Sequence, residues 1–178
     1  MIKVFSSTSL VLMAAVLSAC ATSTTTSKGV DPYAVQVAEA GAATCPATSQ
    51  ADNATGAAAT NTLRQQAGLR PVQSSMTLAQ VAARHACDMA ERGRMTHIGS
   101  TTSGPGDRLR AVGYRPSISA ENIAAGPYSL NRVLAEWNAS AGHRSNIMLP
   151  QMRDYGVGQA IGADGRTRYW AAVYAAPR

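Results

Sequence analysis

The sequence predicts an α+β domain built in layers. Helical periodicity fills the first half of the domain, and two strand-like segments around a tight-turn signal close the chain. Helices followed by a terminal antiparallel hairpin argue for layered helices and sheet, and against the alternating order of a parallel sheet.

The elements follow in order. "ATGAAATNTLRQQAGLRPV" reads as a helix ending near Gly68 and Pro71, with Leu63 and Leu69 as its large apolar residues. "SMTLAQVAARHACDMAERG" is a stronger helix. Leu78, Val81, Ala82, His85, Ala86, Met89 and Ala90 repeat at the helical period, Ser75 or Thr77 can cap the start, and Gly93 stops it. His85 lies on the apolar stripe, where a histidine is expected as a hydrogen-bonded core residue and not a ligand; Cys87 lies on a flank. "RMTHIGSTTSGPGDRLRAVGYRP" is a loop containing a short amphipathic segment, Asp107 to Val112. "SISAENIAAG" carries a brief extended piece. "SLNRVLAEWNASAG" is a helix with Ser129 as N-cap, stopping at Gly142 just before His143. "DYGVGQAIG" and "TRYWAAVYAA" are strands, and Asp164-Gly165 between them is a hairpin signal.

The 178-residue chain divides into three parts. Residues 1–19 read as a signal peptide: Lys3, then an apolar run from Leu10 to Leu17 too short to span a bilayer, then small residues. The closing "LSAC" resembles a bacterial lipobox, which implies cleavage before Cys20 and its acylation. Buried acyl chains contribute about 0.8 kcal/mol per CH2, so two or more make a stable anchor. Residues 20–52 are rich in Ala, Thr and Ser and read as a flexible tether. The domain is expected over 53–178. The expected location is the cell envelope, and in a Gram-negative cell the outer membrane, since Ala21 and not Asp follows Cys20. With Cys20 assigned to acylation, an exported domain favours a Cys45–Cys87 disulfide over two free thiols.

The chain holds 16 basic and 10 acidic residues, and from Asn53 onward every basic residue is arginine. The arginines are scattered, without a dense run or interleaved aromatics, so nucleic acid is not an expected partner. A basic surface is a solvated face, or one that suits anionic envelope polymers or lipid headgroups. A monomer is expected.

Three histidines and seven carboxylates fall within the domain. His97, Glu121 and His143 stand at element ends, where functional side chains concentrate. The chain has no HExxH, CxxC or EF-hand pattern, no GxSxG elbow and no SxxK motif. An activated Ser or Cys nucleophile therefore has no signature here.

From Asn61 to Tyr174 the segments "THIG", "AENIAAG", "WNASAGHRSNIMLP" and "RYWAAVY" occur in an order that resembles the CAP superfamily. These are the SCP domains of cysteine-rich secretory proteins, antigen 5 and pathogenesis-related proteins, and the likeness is to the compact bacterial branch. The resemblance implies an α-β-α sandwich with a small antiparallel sheet. It also implies a cleft where two histidines, His97 and His143, meet two acids. One acid falls on Glu121. The longer eukaryotic members carry the other three residues after the tryptophan, where this chain has Ser140. Glu136, one helical turn earlier, shares a face with Ser140 and can supply that carboxylate or point to solvent.

Three readings of the cleft follow. The leading one is an exported binding module for lipid or envelope polymer. A second is a hydrolase with Glu121 as base and His97 and His143 as acid or as ligands of zinc or another divalent metal. The third is an envelope scaffold with a vestigial cleft. Trp137 is expected as a core anchor, Asn122 and Asn146 as hydrogen bonders to backbone, and Arg144 as a carboxylate partner or a cleft neighbour. Trp170, Ala172 and Tyr174 should share one strand face.

Overall fold

The computed structural model describes residues 29–178, so the signal peptide over 1–19 and Cys20 lie outside the described residues. The elements are β1 (Val35–Gln36), α1 (Gln50–Gln66), β2 (Gln73–Ser74), α2 (Met76–Glu91), β3 (Arg94–Met95), α3 (Pro105–Ala111), β4 (Pro116–Gly126), α4 (Leu130–Ala139), α5 (Ala141–Ile147), β5 (Asp154–Ile161) and β6 (Arg168–Pro177). The predicted caps form: Ser75 Oγ accepts from Leu78 N, and Ser129 Oγ from Arg132 N.

Strands β2, β5, β6 and β4 form one sheet in that order, antiparallel except for the short parallel β2–β5 pair. Alternation along β6 builds the two cores. Trp170, Ala172 and Tyr174 pack with Val133, Trp137 and Ile147 of α4 and α5, as expected for that strand face. Tyr169, Ala171, Val173 and Ala175 face the other way and pack with Leu78, Val81, Ala82 and Met89 of α2 and Leu109 of α3. Side chains of period two thus hold helices on both faces, and the architecture is an α-β-α sandwich.

Helix α2 lies directly on β5 because Gly156 and Gly158 have no side chains. A Cβ on Gly156 would strike the backbone of Leu78 and Ala79, and one on Gly158 the backbone of Ala83. On the other face Arg64 is fully buried and carries no carboxylate partner among the described residues. Its guanidinium instead donates to the carbonyls of Arg70, Ile147, Leu149 and Met152. Ile147 ends α5, so a positive charge sits where the helix carbonyls are unpaired. This arginine fixes the helix that carries His143.

Two sequence expectations change. The helix before His143 ends at Ala139, Ser140 adopts an extended conformation, and a second helix begins. His143 therefore sits in the first turn of α5 and not in a loop. The segment before the domain is also less free than a tether over 20–52 implies. α1 starts at Gln50, β1 pairs with β3, Thr44 exchanges backbone bonds with Ile161, and Val37 and Ala38 donate to Gly93 O. Backbone bonds need no large apolar side chains, so a composition argument does not see them. The expected Cys45–Cys87 disulfide forms and staples this segment to α2.

Gly158→Ala should destabilise the domain by about 3 kcal/mol, because overpacking against helix backbone has no flexible neighbour to absorb it. Gly142→Ala, with open space around its Cβ, should be neutral or stabilising by up to ~1 kcal/mol. Urea melts of the two variants check both.

Candidate functional site

The site is organised by register on β4, the edge strand beside β6. Glu121 and Ile123 point to the α2/α3 face, and Asn122 to the α4/α5 face. Glu121 is buried and carries three contacts. Arg108 Nη2 donates to its Oε1 at 2.6 Å, His97 Nδ1 lies 2.9 Å from Oε2, and His85 Nε2 lies 3.5 Å from the same oxygen. Arg108 also donates to His97 O and to Thr102 Oγ1, so one guanidinium ties α3, the loop and the strand together.

Burial pushes the Glu121 carboxyl up, but His85, His97 and Arg108 outweigh it and hold the group below its ordinary value. It is a carboxylate. His97 Nδ1–H must then donate to it, and Nε2 is the ring nitrogen left outside this pair. His85 is the reverse case. Burial dominates and holds its imidazole below the usual value, so it is neutral, with Nε2–H donating to Thr96 O at 2.9 Å. The sequence expectation of a hydrogen-bonded core histidine is met, and the same ring also buttresses Glu121.

The His97 loop is held a second time from the N-terminal segment. Asp31 Oδ2 accepts from Thr96 Oγ1 at 2.6 Å and from the His97 backbone N–H, and Tyr33 stands edge-on to the His97 ring at 6.3 Å. Sequence reasoning assigned this stretch to the tether and singled out neither residue.

His143 belongs to the other face. Its carbonyl accepts from Asn122 Nδ2, its ring lies 6.4 Å from that of Trp137, and its buried Nδ1 has no hydrogen-bond partner. Burial holds this imidazole below its ordinary value, and His97 pushes in the same direction. The two histidines thus feel one another around the edge of β4. Asn146 bridges the faces, donating to Glu121 O and to Asn122 Oδ1. Asn122 and Asn146 both bond backbone as expected, but from mid-strand and from α5. Trp137 is buried with Nε1 donating to Ile123 O. Glu136 pairs with Arg132 along α4 at 2.6 Å, half-exposed. Ser140 caps the α4–α5 break without a side-chain cap bond, and Arg144 is exposed.

The donor set decides what the site can hold. Both Glu121 oxygens are engaged, so a metal would meet only His97 Nε2 and the His143 imidazole. Catalytic zinc takes three protein ligands, and the residues present do not fit such a centre. Among the described residues, the one group with three ligand atoms within 4.8 Å of one another is Cys45, Cys87 and Glu91. Its sulfurs are bonded to each other and offer no thiolates. Arg108 was not singled out in the sequence. A buried glutamate requires a countercharge, but spacing does not reveal which arginine supplies it.

Glu121→Gln should cost about 3–5 kcal/mol, since it leaves Arg108 charged and buried. Glu136→Gln, at an exposed pair, should cost under ~0.5 kcal/mol. Stability should also depend on pH through His85 and His143. Both are depressed from 6.5 in the folded chain. Their contribution is therefore complete above about pH 6.5, and it is lost as pH falls and the unfolded chain takes up protons first. Thermal melts between pH 8 and 5 should show this loss, with a shallower slope in His143→Asn.

Comparison with known proteins supplies the family. The profile of the CAP, cysteine-rich secretory protein family matches residues 57–174. The Bacillus subtilis protein YkwD is 35% identical over 99 residues, which is 56% of this chain and 38% of that one. An extracellular SCP-domain protein from Bacillus anthracis is 26% identical, with a TM-score of 0.62 over 70% of this chain and 40% of that one. This chain therefore spans about two-fifths of the length of each. An outer surface protein from Borrelia burgdorferi shares the fold, with 20% identity and a TM-score of 0.63 over 72% of this chain and 94% of that one. The chain belongs to the CAP, or cysteine-rich secretory protein, family.

Proposed function

We propose that this chain is an exported, lipid-anchored binding module of the cell envelope, which takes a lipid or envelope polymer at the edge of β4 beside His97 and His143. The observation that carries the reading is the state of Glu121. Its carboxylate is buried, ionised and engaged on both oxygens. A general base must reach its substrate and have a pKa near the working pH, whereas this group is buried and held below its ordinary value. What the arrangement supplies is a rigid mount that presents His97 Nε2 and the half-buried His143 as fixed recognition groups. Rigid, pre-oriented polar groups favour binding because little ordering entropy is lost when the ligand arrives.

Export rests on the sequence of residues 1–20 and on relatives described as extracellular or outer-surface proteins. The described residues contain no helix long and apolar enough to cross a membrane; the proposed attachment is acylated Cys20.

Two variants separate anchor from site. Cys20→Ser should move the chain from the membrane to the soluble fraction. In that background, sedimentation with lipid vesicles and with purified envelope polymer should show binding to one of them that weakens at least about tenfold in His97→Ala/His143→Ala, equivalent to ~1.4 kcal/mol. Equal binding by both proteins, or binding to neither material, contradicts the reading.

A further inference from the structure

A cavity of about 220 Å³ opens between α2, α3 and the loop 99–102, on the α2/α3 face of the sheet and away from His143. It is lined in part by His85 and Arg108, the same residues that buttress Glu121. Each keeps one buried polar atom with no hydrogen-bond partner: Nδ1 of His85 and Nε of Arg108. His85 is 1% exposed and Arg108 8% exposed, so these are orphaned groups of the interior and not of the surface. Buried polar atoms are almost always paired, and exceptions ask for an explanation.

The charges of the cavity do not cancel. Arg108 is balanced by Glu121, and Asp88 by Arg92, with Asp88 also accepting from Ser100 N. Arg84, at the exposed rim, has no partner among the described residues and leaves one positive charge over. The hydrogen-bond demand is mixed. Arg108 Nε is a donor and asks for an acceptor. His85 donates through Nε2 to Thr96 O, so in the neutral ring Nδ1 is an acceptor and asks for an O–H or N–H. Val81, Ala111 and Val112 form an apolar wall, which suits a carbon-bearing acid better than a bare inorganic ion. At ~30 Å³ per water, the volume corresponds to roughly seven waters, below the ~300 Å³ at which drug-sized pockets begin. The loop keeps a glycine at position 99, where a Cβ would collide with Thr102 Oγ1 and approach Asp88 and Arg108, so a side chain there would crowd the cavity.

We propose that this cavity is a second binding site, distinct in place from the β4 edge, for a small hydroxylated carboxylate. The carboxylate meets Arg84 and Arg108, the hydroxyl donates toward His85, and the carbon skeleton lies against Val81, Ala111 and Val112.

The test is a titration of the full chain with lactate, followed by the side-chain ¹⁵N resonances of His85. Lactate should move the Nδ1 resonance saturably, at concentrations up to roughly tens of millimolar, as fits a ligand of a few atoms. Propionate, which lacks the hydroxyl, 1,2-propanediol, which lacks the charge, and inorganic phosphate should each bind at least about tenfold more weakly. Arg84→Gln, at an exposed position, should weaken lactate by a similar factor. Ala111→Phe, which fills the mouth from an exposed site, should abolish the response while the amide spectrum stays native. The proposal is overturned by any of three results: no saturable His85 response to lactate, propionate or phosphate matching lactate, or an undiminished response in folded Ala111→Phe. None of these bears on His97 or His143, so the two sites fail or stand separately.

Discussion

The buried ion pair between Arg108 and Glu121 is the constraint on which the rest of this site depends. A carboxylate inside a protein is costly unless paired and hydrogen-bonded. Here it receives a guanidinium at 2.6 Å and two imidazoles within 3.5 Å. Each partner comes from a different element: Arg108 from α3, His85 from α2, and His97 from the loop after β3. Glu121 itself is on β4. One charged group therefore fixes two helices and a loop against one edge strand, and it orients the His97 ring through Nδ1. Asp31 and the Cys45–Cys87 disulfide then fasten the N-terminal segment to the same region.

Glycine and arginine prepare the frame for this pair. Gly156 and Gly158 let α2 approach β5 closely enough to carry His85 into the interior. Arg64 closes the carbonyl end of α5 from below and holds His143 on the far side of the strand. The faces communicate through Asn122 and Asn146, which bond to each other and to the backbone of Glu121 and His143. The binding surface at the β4 edge is thus built from two half-sites with separate supports, not from one converging cluster.

Much of this was legible in the sequence. The strong period of "LAQVAARHACDMA" places His85 on a buried stripe, and the alternation in "RYWAAVYAA" divides β6 between two cores. The Asp164-Gly165 signal locates the hairpin, and the order of the CAP motifs names His97, Glu121 and His143. What the sequence hides is parity and partner. Adjacent strand residues point to opposite faces, so Glu121 and Asn122 serve different cores although they are neighbours, and a motif read as a string does not show that. The helix break at Ser140 is hidden for a similar reason: Ala, Gly and Ser around it neither forbid nor require a second helix. Arg108 and Arg64 look like ordinary surface arginines until the fold buries them, and the Ala/Thr/Ser composition of residues 31–49 hides backbone pairing.

The central claim is that Glu121 is an ionised mount whose Oε2 accepts from His97 Nδ1–H. Side-chain NMR of the wild-type chain reads both quantities in one pH series, through the Glu121 carboxyl ¹³C shift and the His97 ring ¹⁵N shifts. The account predicts a carboxylate that stays ionised below the ordinary glutamate value of 4.5, and a His97 ring with a proton on Nδ1 held in the bond to it. A Glu121 carboxyl titrating at or above that value, or a His97 Nδ1 that carries no proton, would contradict it.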